Sequence, residues 1–378
     1  MTQTEKLLGE LIALPSVNSA FLPANHPRAG EQRVGELLAA IARKAGLDVE
    51  WQKVFPKRSN VLVRLTPAGK VKRRILLAPH LDTVDIAGEE QLKPTLKRGR
   101  LYGRGACDTK GSVAAMMGAL CELARSGSTA GTEIIFAGLV DEENGQGGSR
   151  ALAASGLRAD LAIVGEPTRL QVVTCHKGDI WLKLVTSGQA AHGARPELGK
   201  NAIHEMARIV TWLETSYAAQ LRRRKHPLLG HATVNVGTIA GGAQTNIVPD
   251  YCEITIDRRT LPGETDAGVR REFAESLRHR GFAAKLGSAK TAPCAPMETD
   301  PSLPLVQAFL KSAGQRKPVG VDYFCDAAVL AAAGIPSVVF GPGDIAQAHT
   351  VDEWISVESL ERGRRMLVNY LRGLQALP

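Results

Sequence analysis

Aromatic residues make up only 4% of this 378-residue chain. So thin a supply offers no stacking platform for single-stranded nucleic acid. The six cysteines (Cys107, Cys121, Cys175, Cys252, Cys294 and Cys325) never form a C-x-x-C pair, which excludes the usual cysteine zinc and redox motifs. They are too few for a disulfide framework, so reduced thiols in a cytoplasm are expected. No window of about 18 apolar residues is present, so no membrane span is expected. The N-terminal MTQTEKLLGELIALPS lacks the apolar stretch of a signal peptide. Tandem repeats and low-complexity segments are also missing.

The chain does have a formal charge of +9 and a pI near 9.3. Its basic residues are scattered, and the densest run, Arg222–Lys225, reads as a solvated surface. A nucleic-acid binder would show clustered cations interleaved with aromatics. Hydrophobic residues are 44% and charged residues 22%, ordinary values for a globular protein. The length suits two domains.

Hydrophobic periodicity predicts helices over 4–14, 31–45 and 112–125, the last closed by Gly127. Strand-like runs lie at 60–65 and 74–79, short continuous apolar runs at 134–140 and 161–164 suit strands buried on both faces of a parallel sheet, 336–341 reads as a further strand, and 356–375 reads as a closing helix. The middle of the chain differs. Strands at 180–186, 232–240, 251–257 and 282–287 alternate with helices at 200–217 and 266–280. The first of these helices should bury Ile203, Met206, Ala207, Val210 and Leu213. The order β-α-β-β-α-β is ferredoxin-like. The expected fold is therefore α/β: a larger catalytic domain, 1–177 and 291–378, with a mostly parallel sheet flanked by helices, interrupted by an inserted α+β domain over 178–290.

Four apolar runs in the larger domain end on chemistry. ILLA leads to His80 and Asp82, IIFAGLV to Asp141, Glu142 and Glu143, LAIVG to Glu166, and SVVFGPG through a short loop to His349. Ligands of open parallel sheets bind at the carboxyl ends of strands. A fifth acid, Asp108, sits in the glycine-rich loop GRGACDTKG. That loop lacks the GK[ST] of a phosphate loop. Any one of these residues alone would more often be structural or solvated; their matching positions make a constellation. Histidines with carboxylates and no thiols form a ligand set for zinc or a similar divalent ion. Asp108 is the natural bridge between two ions. Asp82 is placed to accept the second imidazole N–H of His80. Of Glu142 and Glu143, one would bind metal and the other would move a proton; spacing does not divide those roles.

The pieces PHLDTV, GRGACDTKG, DEENGQGG, GEPT, GQAAHGARPELGKNA, TNIVPD, DRRTLPGE and GPGDIAQAHTVDE occur in this order across nearly the whole chain. Together they resemble the co-catalytic metallopeptidase family that includes aminoacylases, acetylornithine deacetylase, succinyl-diaminopimelate desuccinylase and glutamate-type carboxypeptidases. The resemblance implies two divalent metal ions, zinc with cobalt or manganese as alternatives. His80, Asp108 and Glu166 would hold one, and Asp108, Glu143 and His349 the other. It implies Glu142 as general base toward an attacking water, Asp82 as the residue orienting His80, and His192 as a stabiliser of the oxyanion, from its own subunit or a partner's. Asn246 and Arg259 would contact substrate, Arg259 being chosen over Arg258. The expected activity is hydrolysis of an N-acyl amino acid in the manner of acetylornithine deacetylase. The alternatives are desuccinylase or dipeptidase and carboxypeptidase chemistry, or, from another class, a non-catalytic or nucleic-acid-binding role. The inserted domain would act as lid and homodimer contact, with no nucleic acid or membrane as partner.

Overall fold

The computed structural model describes residues 1–127, 129, 131–290 and 292–376. The chain divides into two compact units. One comprises Met1–Thr174, Glu298–Val319 and Cys325–Pro378; the other comprises Cys175–Met297 and Gly320–Phe324. The short return Gly320–Phe324, left with the larger domain by the sequence reading, belongs to the second unit. The expected boundary at residue 291 falls outside the described residues.

In the first unit, strands β1 (Asp48–Phe55), β2 (Arg58–Leu65), β3 (Arg73–Pro79), β4 (Thr132–Gly138) and β5 (Leu161–Gly165) join Ser337–Val339 in the order β1-β2-β4-β3-β5-(337–339). The pairs β4–β3, β3–β5 and β5 with Ser337–Val339 are parallel. The hairpin β1–β2 adds an antiparallel edge. Every residue of β4 and β5 is buried, as a strand covered on both faces requires. β1 has no fully buried residue; its sequence carries no clear period, and the reading from sequence did not find it.

Helices α1 (Gln3–Ala13), α2 (Gln32–Lys44), α3 (Lys110–Ser126) and the closing helix Val357–Gly373 pack into this core, which includes Leu8, Leu38, Met117, Phe136 and Leu371. Gly127 ends α3 at φ 74°, a left-handed cap that glycine adopts without a Cβ penalty. The buried Lys110 ammonium donates to the carbonyls of Leu11 and Leu14 at 2.9 and 2.8 Å. It thereby satisfies acceptors that the end of α1 leaves open and ties α1 to the loop carrying Asp108.

The second unit contains β6 (Gly178–Ser187), α4 (Ala202–Trp212), β7 (Thr233–Gly241), β8 (Tyr251–Thr260), α5 (Asp266–His279) and β9 (Ala284–Ser288). Its antiparallel sheet has the order β7-β8-β6-β9, the arrangement that the β-α-β-β-α-β order predicts. Leu182, Leu184, Ile254 and Ile256 bury one face with Met206, Ile209, Trp212 and Phe273. Ala207, expected in the buried face of α4, is exposed, and Ile209 is buried instead. The helix continues past Trp212 through a wider turn at Leu213–Tyr217. Trp212, Tyr217, Phe273 and Phe282 pack ring against ring there. Among the described residues, no helix is long and apolar enough to cross a membrane.

Candidate metal centre

All five expected metal ligands and Glu142 belong to the first unit. β3 ends at Pro79, so His80 and Asp82 follow the strand rather than lie on it. A single parallel bridge between His80 and Leu139 carries the sheet one step further. His80 is 2% exposed, and its Nε2 lies 3.1 Å from Asp108 Oδ1 and 3.8 Å from Glu166 Oε1. On the other side of Asp108, His349 Nε2 lies 3.4 Å from Oδ2 and 3.1 Å from Glu143 Oε2. One buried carboxylate thus meets a different imidazole at each oxygen. Ligand atoms of His80, Asp108 and Glu143 all lie within 4.8 Å of one another.

Asp82 has more duties than its expected one. His80 Nδ1 donates to the backbone carbonyl of Asp82 at 3.1 Å, while the carboxylate is further away, at 3.6 Å. The Asp82 carboxylate accepts the backbone N–H groups of Glu142 and Glu143, each at 3.1 Å, and Asn18 Nδ2 at 2.7 Å. It therefore fixes the loop that carries both glutamates. The chain enters that loop through Asp141, at φ 71°. Asn18 also donates to Asp141 at 3.1 Å. Arg58 bonds Glu31 at 2.8 and 2.5 Å and Asp141 at 3.1 Å. Asn18, Glu31 and Arg58 were absent from the sequence reading. Their roles come from segments far away in the chain, and no local spacing marks them.

The electrostatics are lopsided. Burial pushes the Glu142, Glu143 and Glu166 carboxyls above their usual range, and the neighbouring acids add to it. Burial also pushes the Asp108 carboxyl up, but hydrogen bonds from His349 and His80 outweigh this and hold it down. Bonds to Asp108 and Glu143 lift His349 to about 10. Four carboxylates crowd two imidazoles, and Asp326, 1% exposed, brings further negative charge to bear on Glu142 and Glu166. Such a set is short of positive charge. Its oxygen and imidazole donors are those that divalent ions take, so the residues fit the expected metal.

The remaining expected site residues lie in the second unit. His192 is exposed, and its Nδ1 accepts the Ala194 N–H at 3.1 Å. The adjacent Gly193 N–H donates to the Asn246 carbonyl at 2.7 Å, so His192 and Asn246 are neighbours. Arg259 pairs with Asp257 at 2.9 Å and keeps 29% of its side chain exposed. Arg258 is fully buried, bonded to Glu264 at 2.7 Å and to its neighbour's carbonyl.

Residues 76–373 match the model of peptidase family M20/M25/M40. The chain is 33% identical over 341 residues to an acetylornithine deacetylase of Myxococcus xanthus, covering 85% of this chain and 87% of that one. It is 32% identical to an acetylornithine deacetylase of Proteus mirabilis, covering 96% and 94%. Its fold is similar to that of an M20 metallo-carboxypeptidase from Sulfolobus solfataricus, with a TM-score of 0.79 at 19% identity over 100% of both chains. It is also similar to a dinuclear metal-binding M20 peptidase from Bacillus subtilis, with a TM-score of 0.70 at 14% identity over 98% of this chain and 97% of that one. The buried histidine–carboxylate cluster and these matches lead to one conclusion: the chain belongs to peptidase family M20/M25/M40 and is a hydrolase of amide bonds.

Proposed function

We propose that this protein is a metal-dependent amidohydrolase that frees an amino acid from its N-acyl derivative, as acetylornithine deacetylases do. The observation that carries the reading is Asp108 between His80 and His349, one imidazole at each carboxylate oxygen. His80, Asp108 and Glu166 would hold one divalent ion, and Asp108, Glu143 and His349 a second. Zinc is our assignment for both, although cobalt and manganese accept the same donors. When bound, such ions acidify a water molecule and polarise an amide carbonyl.

The protein's own groups do the rest. Glu142 accepts the proton of the attacking water and delivers it to the departing nitrogen. Asp82 holds the Glu142 backbone in place while the Asp82 carbonyl fixes the His80 tautomer with Nε2 free to ligate. Because His192 Nδ1 accepts the Ala194 N–H, Nε2 is the ring nitrogen left to donate to an oxyanion. Arg258 is fully buried on Glu264; Arg259 also pairs with Asp257 but keeps 29% of its side chain exposed, so Arg259 is our choice for a substrate carboxylate, with Asn246 beside His192. In this reading the inserted domain, 178–290 from sequence, serves as lid and homodimer contact, and the enzyme works in the cytoplasm.

The test is release of free amine from N-acetylornithine, other N-acetyl amino acids, N-succinyl-diaminopimelate and dipeptides, with zinc or cobalt supplied and a chelator as control. Selective, chelator-sensitive hydrolysis of an N-acyl amino acid is expected. Glu142→Gln should retain its metal and lose turnover by roughly 10²–10⁴-fold. Near-normal turnover in that variant would remove Glu142 from the mechanism.

A further inference from the structure

Glu353 is a buried acid to which the mechanism above gives no part. Its carboxylate is 1% exposed. Oε2 accepts Arg104 Nη1 at 2.8 Å and the Gly105 N–H at 2.9 Å; Oε1 accepts the N–H groups of Cys107 at 2.8 Å and Asp108 at 2.9 Å. A carboxylate has about four acceptor sites, and here all are used. Three of the four donors are backbone amides of one short loop, and the last belongs to Asp108 itself. Gly105 turns that loop at φ 80°, a conformation that a Cβ disfavours.

The backbone at and after Glu353, in the segment that carries His349, is tied to the chain leading into the same loop. The Glu353 carbonyl accepts the Gly103 N–H at 3.0 Å. The next residues, Trp354–Ser356, pair antiparallel with Arg100–Tyr102, and His349 lies four positions before Glu353. Glu353 thus joins the loop of the shared carboxylate to the loop of one imidazole. An amide at this position would turn its NH₂ toward two N–H donors, leaving them buried and unpaired.

We propose that Glu353 is the positioning residue of the metal centre: by collecting the Gly105, Cys107 and Asp108 amides and Arg104, it holds the Asp108 carboxylate in register with His349. This rests on the metal reading above. It adds a residue that touches neither metal nor substrate and acts through the Asp108 backbone.

The experiment is a titration of metal-depleted full-length protein with cobalt alone, followed by calorimetry and by visible absorption. Wild type should take up two ions. Glu353→Gln should bind cobalt at least about tenfold more weakly, with an altered visible band. Its kcat should fall while KM stays close to wild type, and excess cobalt should partly restore activity. Arg104→Met, which removes one of the four donors, should weaken cobalt binding by a smaller factor, and it decides the matter if Glu353→Gln does not fold. A core variant near the far end of α3, Leu123→Ala, is buried and about 20 Å along the helix from its first residue; it supplies the control for stability loss and should leave cobalt affinity and spectrum unchanged. Wild-type cobalt affinity and spectrum in Glu353→Gln would overturn the inference, even if its melting point fell. The same result in Arg104→Met overturns it where Glu353→Gln is not obtained. Failure of wild type to bind cobalt would instead overturn the metal reading itself.

Discussion

Asn18 shows how much a single amide does at this site. Its two Nδ2 hydrogens go to two different carboxylates, Asp82 and Asp141, and its Oδ1 accepts the Ala20 N–H at 3.0 Å. Only an amide of this length meets all three demands. Asn18→Ala removes the donor and should cost about 1–3 kcal/mol. Asn18→Asp has the same shape but sets a third carboxylate against two, and should destabilise more than Asn18→Ala. Denaturant midpoints of the two variants check the ordering; the reverse order would mean that Asp82 and Asp141 do not depend on this amide. A second residue sets a pH dependence. His176 is fully buried, its Nδ1 donates to the Lys177 carbonyl at 2.9 Å, and among the described residues its Nε2 meets no hydrogen-bonding partner. Burial holds its pKa down at about 4, against an ordinary 6.5. As pH falls below 6.5 the unfolded chain gains a proton that the folded chain refuses until about pH 4. The stability from this group is therefore full above pH 6.5 and is lost as pH falls from 6.5 through 4. The loss is on the order of 3 kcal/mol. His176→Asn keeps a donor for the carbonyl and removes the titration. Urea unfolding at several pH values should show a shallower acid decline in the variant; an unchanged decline would assign the proton uptake elsewhere.

At the scale of elements, burial alternates along β6 as the strand period requires. Leu182 and Leu184 are buried, while Trp181 is 43% exposed and Lys183 keeps 37% of its side chain exposed. Leu184→Ala should cost about 2–5 kcal/mol through the cavity it leaves. Lys183→Thr, one position away, should stay within about 0.5 kcal/mol. Thermal or chemical unfolding distinguishes the two, and equal costs would contradict the assigned register. The parallel strands of the first unit follow another rule. β4 and β5 are buried along their full length, so their sequences are continuous apolar runs, and this made them legible. β1 was not legible, because DVEWQKVF mixes polar and apolar residues on a half-covered edge. The face of α4 was read with Ala207 where the fold buries Ile209, since several helical frames fit that segment and packing in the fold selects among them.

For the whole molecule, the proposed ligands fall in one unit only. Ions that bind the folded protein and not the unfolded chain add stability by mass action, about 4 kcal/mol at a thousandfold excess over Kd. Chelation should therefore lower the melting transition of the first unit and leave that of the second in place, as read by calorimetry with and without zinc. An equal shift of both would require metal contacts outside the cluster described. The net charge of +9 plays no visible part in the site, whose local balance is acidic.

By itself the sequence determined the fold class, the order of the main elements in the second unit and of the buried strands in the first, and the placing of His80, Glu142, Glu143 and Glu166 just beyond strand ends. Burial and periodicity are properties of neighbouring residues, and an acid after a buried parallel strand has one edge of the sheet to occupy. Only the tertiary structure decided which groups meet. The Glu353 carboxylate and the Asp108 amide are 245 residues apart in the chain, and Asn18 and Asp82 are 64 apart. A hydrogen bond forms within about 3 Å, and no local pattern records which distant segments the packed core will bring that close. The division of Asp108 between two histidines, the wider role of Asp82 and the hold of Glu353 on the bridging loop all depend on such approaches.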